Sequence, residues 1–143
     1  MSIVTDVADA VAEELNAGSF SQAFTAARLV LPRFELKDLV ELKVSVVPRT
    51  LGISGNTRAA SKYAVEIVTG IQKKVQDIEA GTDELGLLVD EIGDFIRKRP
   101  LASAPWARWT STQNDPVYDP GHLDQHRVFT SVLTITYTMT RGD

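Results

Sequence analysis

The sequence predicts an α+β domain: a mainly antiparallel sheet of roughly four strands, with two helices packed on its one apolar face. Three observations predict it. The first segment and the segment around residues 82–99 carry apolar residues at helical spacing. The middle and the end of the chain alternate apolar and polar residues as strands do. At 143 residues the chain suits one core and not two, so residues 1–143 form a single domain.

In the first element, Val4, Val7, Ala8, Val11, Ala12 and Leu15 recur at three- and four-residue steps, with Asp9 and Glu13 turned away. That spacing predicts a helix over residues 3–16. Gly18 is expected to close it in the left-handed conformation. Residues 20–31 are rich in Phe, Thr, Val and Leu and end at Pro32, which predicts a strand. Residues 35–41 read as a short turn or a single helical turn. Leu42, Val44, Val46 and Pro48 then alternate with Lys43, Ser45, Val47 and Arg49, a half-buried strand that Pro48 limits to an edge or to its own end.

Residues 50–61, with Gly52, Ser54, Gly55 and Asn56, predict a polar projecting loop. Tyr63, Val65, Ile67, Thr69 and Ile71 share one face of the next strand, expected to run antiparallel to the previous one. Thr82 is the expected N-cap of the second helix, and Leu85, Leu88, Val89, Ile92, Phe95 and Ile96 form its stripe. Arg97, Lys98 and Arg99 complement its negative end before Pro100. Residues 101–127 predict a second long loop, with a strand conceivable around residues 106–112. Phe129, Leu133, Ile135, Tyr137 and Met139 alternate with threonines in the strongest strand signal of all. The opposite sheet face, with Glu66, Gln72, Thr130, Thr134, Thr136 and Thr138, is expected to meet water or another subunit.

The net charge of −4 and pI near 5.2 argue against broad affinity for nucleic acid, which needs cations to neutralise phosphates. With no cysteine, disulfides, thiolate zinc sites and cysteine nucleophiles are all excluded, a composition that fits a reducing cytoplasm. Residues 1–16 lack the basic head and apolar centre of a secretory signal, and no window nears the ~18 apolar residues of a membrane span, so a soluble protein without a membrane partner is expected.

The residues able to carry chemistry are sparse. His122 and His126 at i, i+4 would share a helix face, but no third histidine or HExxH accompanies them, and a capping or solvated role is the simpler reading. Asp90 and Asp94 mimic an acid and base pair, yet they lie opposite the apolar stripe, where charges are expected anyway. The run Gly52-Ile53-Ser54-Gly55 matches neither a P-loop nor a serine elbow, and Ser61-Lys62 has no surrounding motif. No catalytic residue, cofactor or metal site is expected.

The candidate contact residues are instead Trp106, Arg108 and Trp109, an aromatic and cationic set, together with Arg49, Arg58 and Lys62. The last three are read as clustering with Lys73 and Lys74 around the strand connection.

The segments AEELNAGSFSQAFTAARLVLPRFELKDL, LKVSVVPRT, IQKKV, LVDEIGDFIRKRPL and NDPVYDPGHLDQHRVFTSVLTITYTMTR resemble small proteins encoded in the structural gene clusters of tailed bacteriophages. The order of helix, antiparallel strands, helix and strand is also similar to tail-terminator and tail-completion proteins. That resemblance implies a structural, non-enzymatic subunit of the virion neck, assembled in the host cytoplasm. It implies a hexameric homo-oligomeric ring that caps the tail tube and joins tail to head. The implied partners are copies of itself, the tail tube protein and head-completion or connector proteins, with genome DNA passing through the channel unbound. A head-closure or adaptor protein of the same connector is the alternative, and a small metal-dependent enzyme using His122 and His126 a more distant one.

Overall fold

The apolar spacing near the start of the chain becomes α1 (Ile3–Ala17), which buries Val7, Ala8, Val11, Ala12 and Leu15. The structure, a computed structural model, describes residues 2–30 and 39–142. Gly18 follows α1 but is extended, with φ −82° and ψ 166°, so the left-handed closure expected of it does not occur. Space requires the glycine instead: a Cβ there would stand 2.9 Å from ring atoms of both Phe20 and Phe95.

The strand expected over residues 20–31 shrinks to β1 (Ala26–Arg28). Two interactions take the rest of that segment out of the sheet. Phe20 stacks on Phe24 and meets Phe95 edge-on, both with centroids 5.2 Å apart. The Asn16 amide brackets Ala26, accepting from its N–H at 2.7 Å and donating to its carbonyl at 3.0 Å. Residues 31–38 lie outside the described residues, and with them Leu31 and most of the turn expected at residues 35–41; residues 39 and 40 do form a short 3-10 turn.

β2 (Lys43–Thr57) and β3 (Ala60–Lys74) pair antiparallel along nearly their full length. The loop expected at residues 50–61 is therefore a hairpin, whose only unpaired connection is Arg58 and Ala59. Its glycines mislead because both strand faces are solvated there and side chains are not sorted by burial. A Cβ at Gly55 would meet nothing within 4 Å, and one at Gly52 only the Ala64 carbonyl at 3.9 Å. Pro48 sits in mid-strand beside a register shift, past the stretch that pairs with β1, where β2 has become the sheet edge.

α2 (Ile78–Ile96) begins a turn before the expected Thr82 cap, because the Asp77 side chain accepts from the Ala80 N–H at 3.1 Å. Its stripe of Leu85, Leu88, Val89, Ile92 and Ile96 is buried as the spacing predicts. The helix ends at Ile96 with Arg97 at its C-cap, so Arg97, Lys98 and Arg99 follow its negative end directly, and Pro100 stands beyond the cap. Lys98 takes a left-handed φ of 59°. Arg99 turns back instead, lying 3.9 Å from the Phe95 ring centroid and pairing with Glu14 of α1 at 2.7 Å.

The second expected loop, residues 101–127, is largely structured. Buried Leu101, Ala104 and Ala107 pin its start. It continues through β4 (Arg108–Asn114) and α3 (Pro120–His126), which is capped by Asp119. β5 (Val128–Gly142) closes the chain.

The sheet order is β1-β2-β3-β5-β4, with β1 parallel to β2 and every other pair antiparallel. The α+β class holds, while the roughly four antiparallel strands and two helices become a five-stranded mixed sheet and three helices. All three helices contribute to one core with Val44, Val46, Val65, Ile67, Ile71, Leu133, Ile135 and Tyr137. Each such side chain contributes about 1.5–3 kcal/mol by leaving water. Thr130, Thr134, Thr136 and Thr138 lie half-buried on the other face, where the Gln72 amide donates to Thr130 Oγ1. Among the described residues, no helix is long and apolar enough to cross a membrane.

Candidate interaction surface

The helices cover only part of the sheet. On β2, residues 44–47 are buried, whereas residues 49–55 and 57 are exposed, as are the turn residues 58 and 59. The change falls at the register shift next to Pro48. From there β2, β3 and the end of β5 continue as an arm, four-stranded where β4 still pairs at Trp109 and Arg108 and three-stranded past Thr138, with Ala60 pairing with Gly142 and Lys62 with Thr140. By strand rise the β2 side of the arm reaches about 25 Å.

Leu51 pairs with Val65 and Ile53 with Tyr63, and Val65 and Tyr63 in turn face Tyr137 and Met139. Leu51 and Ile53 thus share the face that carries the core and stand at its edge, beside buried Val65, Tyr137 and Met139. Leu51 and Ile53 themselves are 43% and 59% exposed. Two apolar side chains left this open on an unpaired strand edge offer another chain a place to pack. Beyond Val46 and its bond from the Leu29 N–H, no strand flanks the outer edge of β2 among the described residues.

Of the expected contact residues, the arm gathers Arg49 at its base, Arg58 in its turn and Lys62 on β3, all exposed. Arg141 joins them, its guanidinium 5.9 Å from the Tyr63 ring centroid. Arg108 pairs with Thr138, two residues from the Lys62 partner Thr140, so Arg108 and Lys62 share the face opposite the helices. Trp106 precedes β4 and is 45% exposed. Trp109 does not join the surface: it packs partly buried against the core, and its indole N–H donates to Thr112 Oγ1 at 2.8 Å. Lys73 and Lys74 stand at the far end of β3, about 35 Å from Lys62 by strand rise, which removes them from the cluster expected there.

His122 and His126 do fall on one helix, as their spacing allows. His122 is occupied locally, its Nδ1 2.9 Å from Thr130 Oγ1 and its backbone N–H donating to the Asp119 cap. Among the described residues no three His, Cys, Asp or Glu side chains converge as metal ligands. The one strongly shifted titrating group among the described residues is Tyr137, which burial pushes well above the usual phenol range, with the Glu14 carboxylate adding to the effect. It belongs to the core and not to a cleft.

No protein-family model matches the chain, and no curated protein matches it. The surface must therefore be read from its own chemistry.

Charge divides sharply between the two layers. α1 carries Asp6, Asp9, Glu13 and Glu14, α2 carries Glu79, Asp83, Glu84, Asp90, Glu91 and Asp94, and neither helix has a lysine or arginine. The four long strands and the β2–β3 turn carry Lys43, Arg49, Arg58, Lys62, Lys73, Lys74, Arg108 and Arg141 against Glu66 alone. Sequence reading finds most of the cations and overlooks the apolar pair Leu51 and Ile53. Their i, i+2 spacing is the available signal, masked by the glycines between and beyond them.

Proposed function

We propose that this chain is a structural subunit that assembles with copies of itself into a closed ring in the neck of a tailed bacteriophage. In this reading the ring is a tail terminator, which caps the tail tube and joins tail to head, with DNA passing through its channel. The observation that carries the reading is the arm: an extension of the sheet past Pro48 with exposed apolar side chains on β2 and an open strand edge. Such an element gains little by standing in water and much by lying against another subunit.

The resemblance of the sequence to phage structural proteins supplies the setting, and the α+β architecture agrees with it. A closed cyclic assembly needs two different surfaces on each copy that meet after a fixed rotation. The cationic arm and the acidic helical layer are such a pair of surfaces. An acidic body also suits a conduit through which DNA must slide without being gripped.

Adding the purified chain to polymerising tail tube protein tests the proposal. Capping is expected to stop elongation and leave rings visible at one tube end by negative-stain electron microscopy. Unchanged tube growth, with the chain free in solution, would reject the terminator role.

A further inference from the structure

We infer that the distal arm of one copy docks head to tail across the outward face of α2 on the next copy, a contact that rests on the ring reading above and specifies it. The outward face of α2 includes a line of exposed side chains. Asp83, Leu87, Asp90 and Asp94 follow one another at steps of four, three and four residues, and all are exposed. Leu87 is 55% exposed in the middle of that acidic line, with no role in the core of its own chain.

The glycines of α2 set this face apart. Gly81 is required from within, because a Cβ there would stand 2.7 Å from Val75 Cγ1. Gly86 and Gly93, one on each side of the line's centre and seven residues apart, are different: a Cβ at either would meet nothing within 4 Å. Glycine weakens a helix interior relative to alanine, and no internal neighbour demands it at either position. Bare backbone beside an apolar anchor allows the close approach of another chain.

The arm offers the complement. Leu51 and Ile53 supply an apolar patch, and Arg58 in the turn and Arg141, which lies near the Tyr63 ring, flank it with no acidic side chain on that face of the arm. A patch of this kind set on the acidic line places Ile53 against Leu87 and cations against Asp90 and Asp94. Like charges forbid the symmetric alternatives: arm on arm opposes cations, and α2 on α2 opposes carboxylates. The contact is therefore heterologous, which leaves one free arm and one free helix face on any open chain of copies until the ring closes.

The chain has no cysteine, so engineered thiols report the contact directly. Ile53→Cys and Leu87→Cys are made as separate full-length proteins, both at exposed positions, and oxidised mildly. The expected result is a disulfide-linked dimer when the two are mixed, little cross-linking of either alone, and a ladder of linked multimers from the chain carrying both. In parallel, D90R/D94R is expected to raise the midpoint concentration of assembly at least tenfold, and R58D/R141D in the same chain to restore much of it. Cross-linking of Ile53→Cys alone would overturn the head-to-tail contact. So would a wild-type protein that assembles while the mixed thiols stay unlinked and the charge reversals change nothing; that outcome would leave the ring standing. A wild type that stays a single chain under the same conditions would overturn both.

Discussion

The two halves of β2 belong to one strand and pair with one partner, β3, on either side of the register shift at Pro48, yet their surroundings differ completely. Residues 44–47 are buried, with Val44 and Val46 in the core. Past Pro48, Leu51 and Ile53 project from the same sheet face into solvent. The proximal half is held by burial against α1, whereas the distal half is held in its own chain only by the ladder to β3. Hydrophobic burial therefore sets the stability of the protomer at one end, and at the other it is left over for association.

Truncating the two regions in the same way exposes the difference most strongly. Ile92→Ala, under α2, is expected to cost about 2–5 kcal/mol of unfolding free energy, the lost transfer plus a cavity. Ile53→Ala is expected to change protomer stability by less than about 0.5 kcal/mol. Urea denaturation of both at a concentration that keeps the chain dissociated checks this, and a large loss from Ile53→Ala would mean the arm folds back on its own protomer.

The glycines of α2 sharpen the contrast on the helix. Gly81→Ala forces a Cβ into Val75 and is expected to destabilise by about 1–3 kcal/mol. Gly86→Ala meets no neighbour and is expected to stabilise the dissociated protomer by about 0.5–1 kcal/mol. Opposite shifts of melting temperature at the two positions check the assignment.

Tyr137 gives the covered region a pH signature that the arm lacks. Its side chain is fully buried and its hydroxyl has no hydrogen-bond partner among the described residues. The phenol is raised in the fold, so in the unfolded chain it releases its proton above pH ~10 while in the folded one it holds it. Its contribution is complete below that pH and is lost as the pH rises, with a slope of up to about 1.4 kcal/mol per unit. Tyr137→Phe is expected to remove that part of the alkaline loss with little effect at neutral pH. Unfolding measured in buffers from pH 8 to beyond 10 checks it.

What is legible in the sequence follows the same division. Where one face is buried, side chains alternate, and α1, β3, the α2 stripe and β5 are all readable from that patterning alone. Where both faces are wet, as in the hairpin over residues 50–61, nothing sorts the side chains. Gly52, Gly55 and Asn56 then read as a loop although β2 runs through them, with Gly52 paired with Ala64 and Gly55 with Ser61. β1 reads too long for a related reason: Phe20 and Phe24 are β-formers spent on packing against Phe95, and the Asn16 clamp on Ala26 joins residues ten apart by side chain. Among the expected contact residues, Arg49, Arg58 and Lys62 fall on the arm because exposed cations need no partner to be recognised. Trp109 is misread because an aromatic at a surface and one in a core look alike without the fold.

The mass of the full-length chain in solution, followed by native mass spectrometry over rising protein concentration, tests self-association most directly. The account predicts that the 15.7 kDa protomer gives way to one discrete closed multiple that does not grow further. A 15.7 kDa species at every concentration would contradict it.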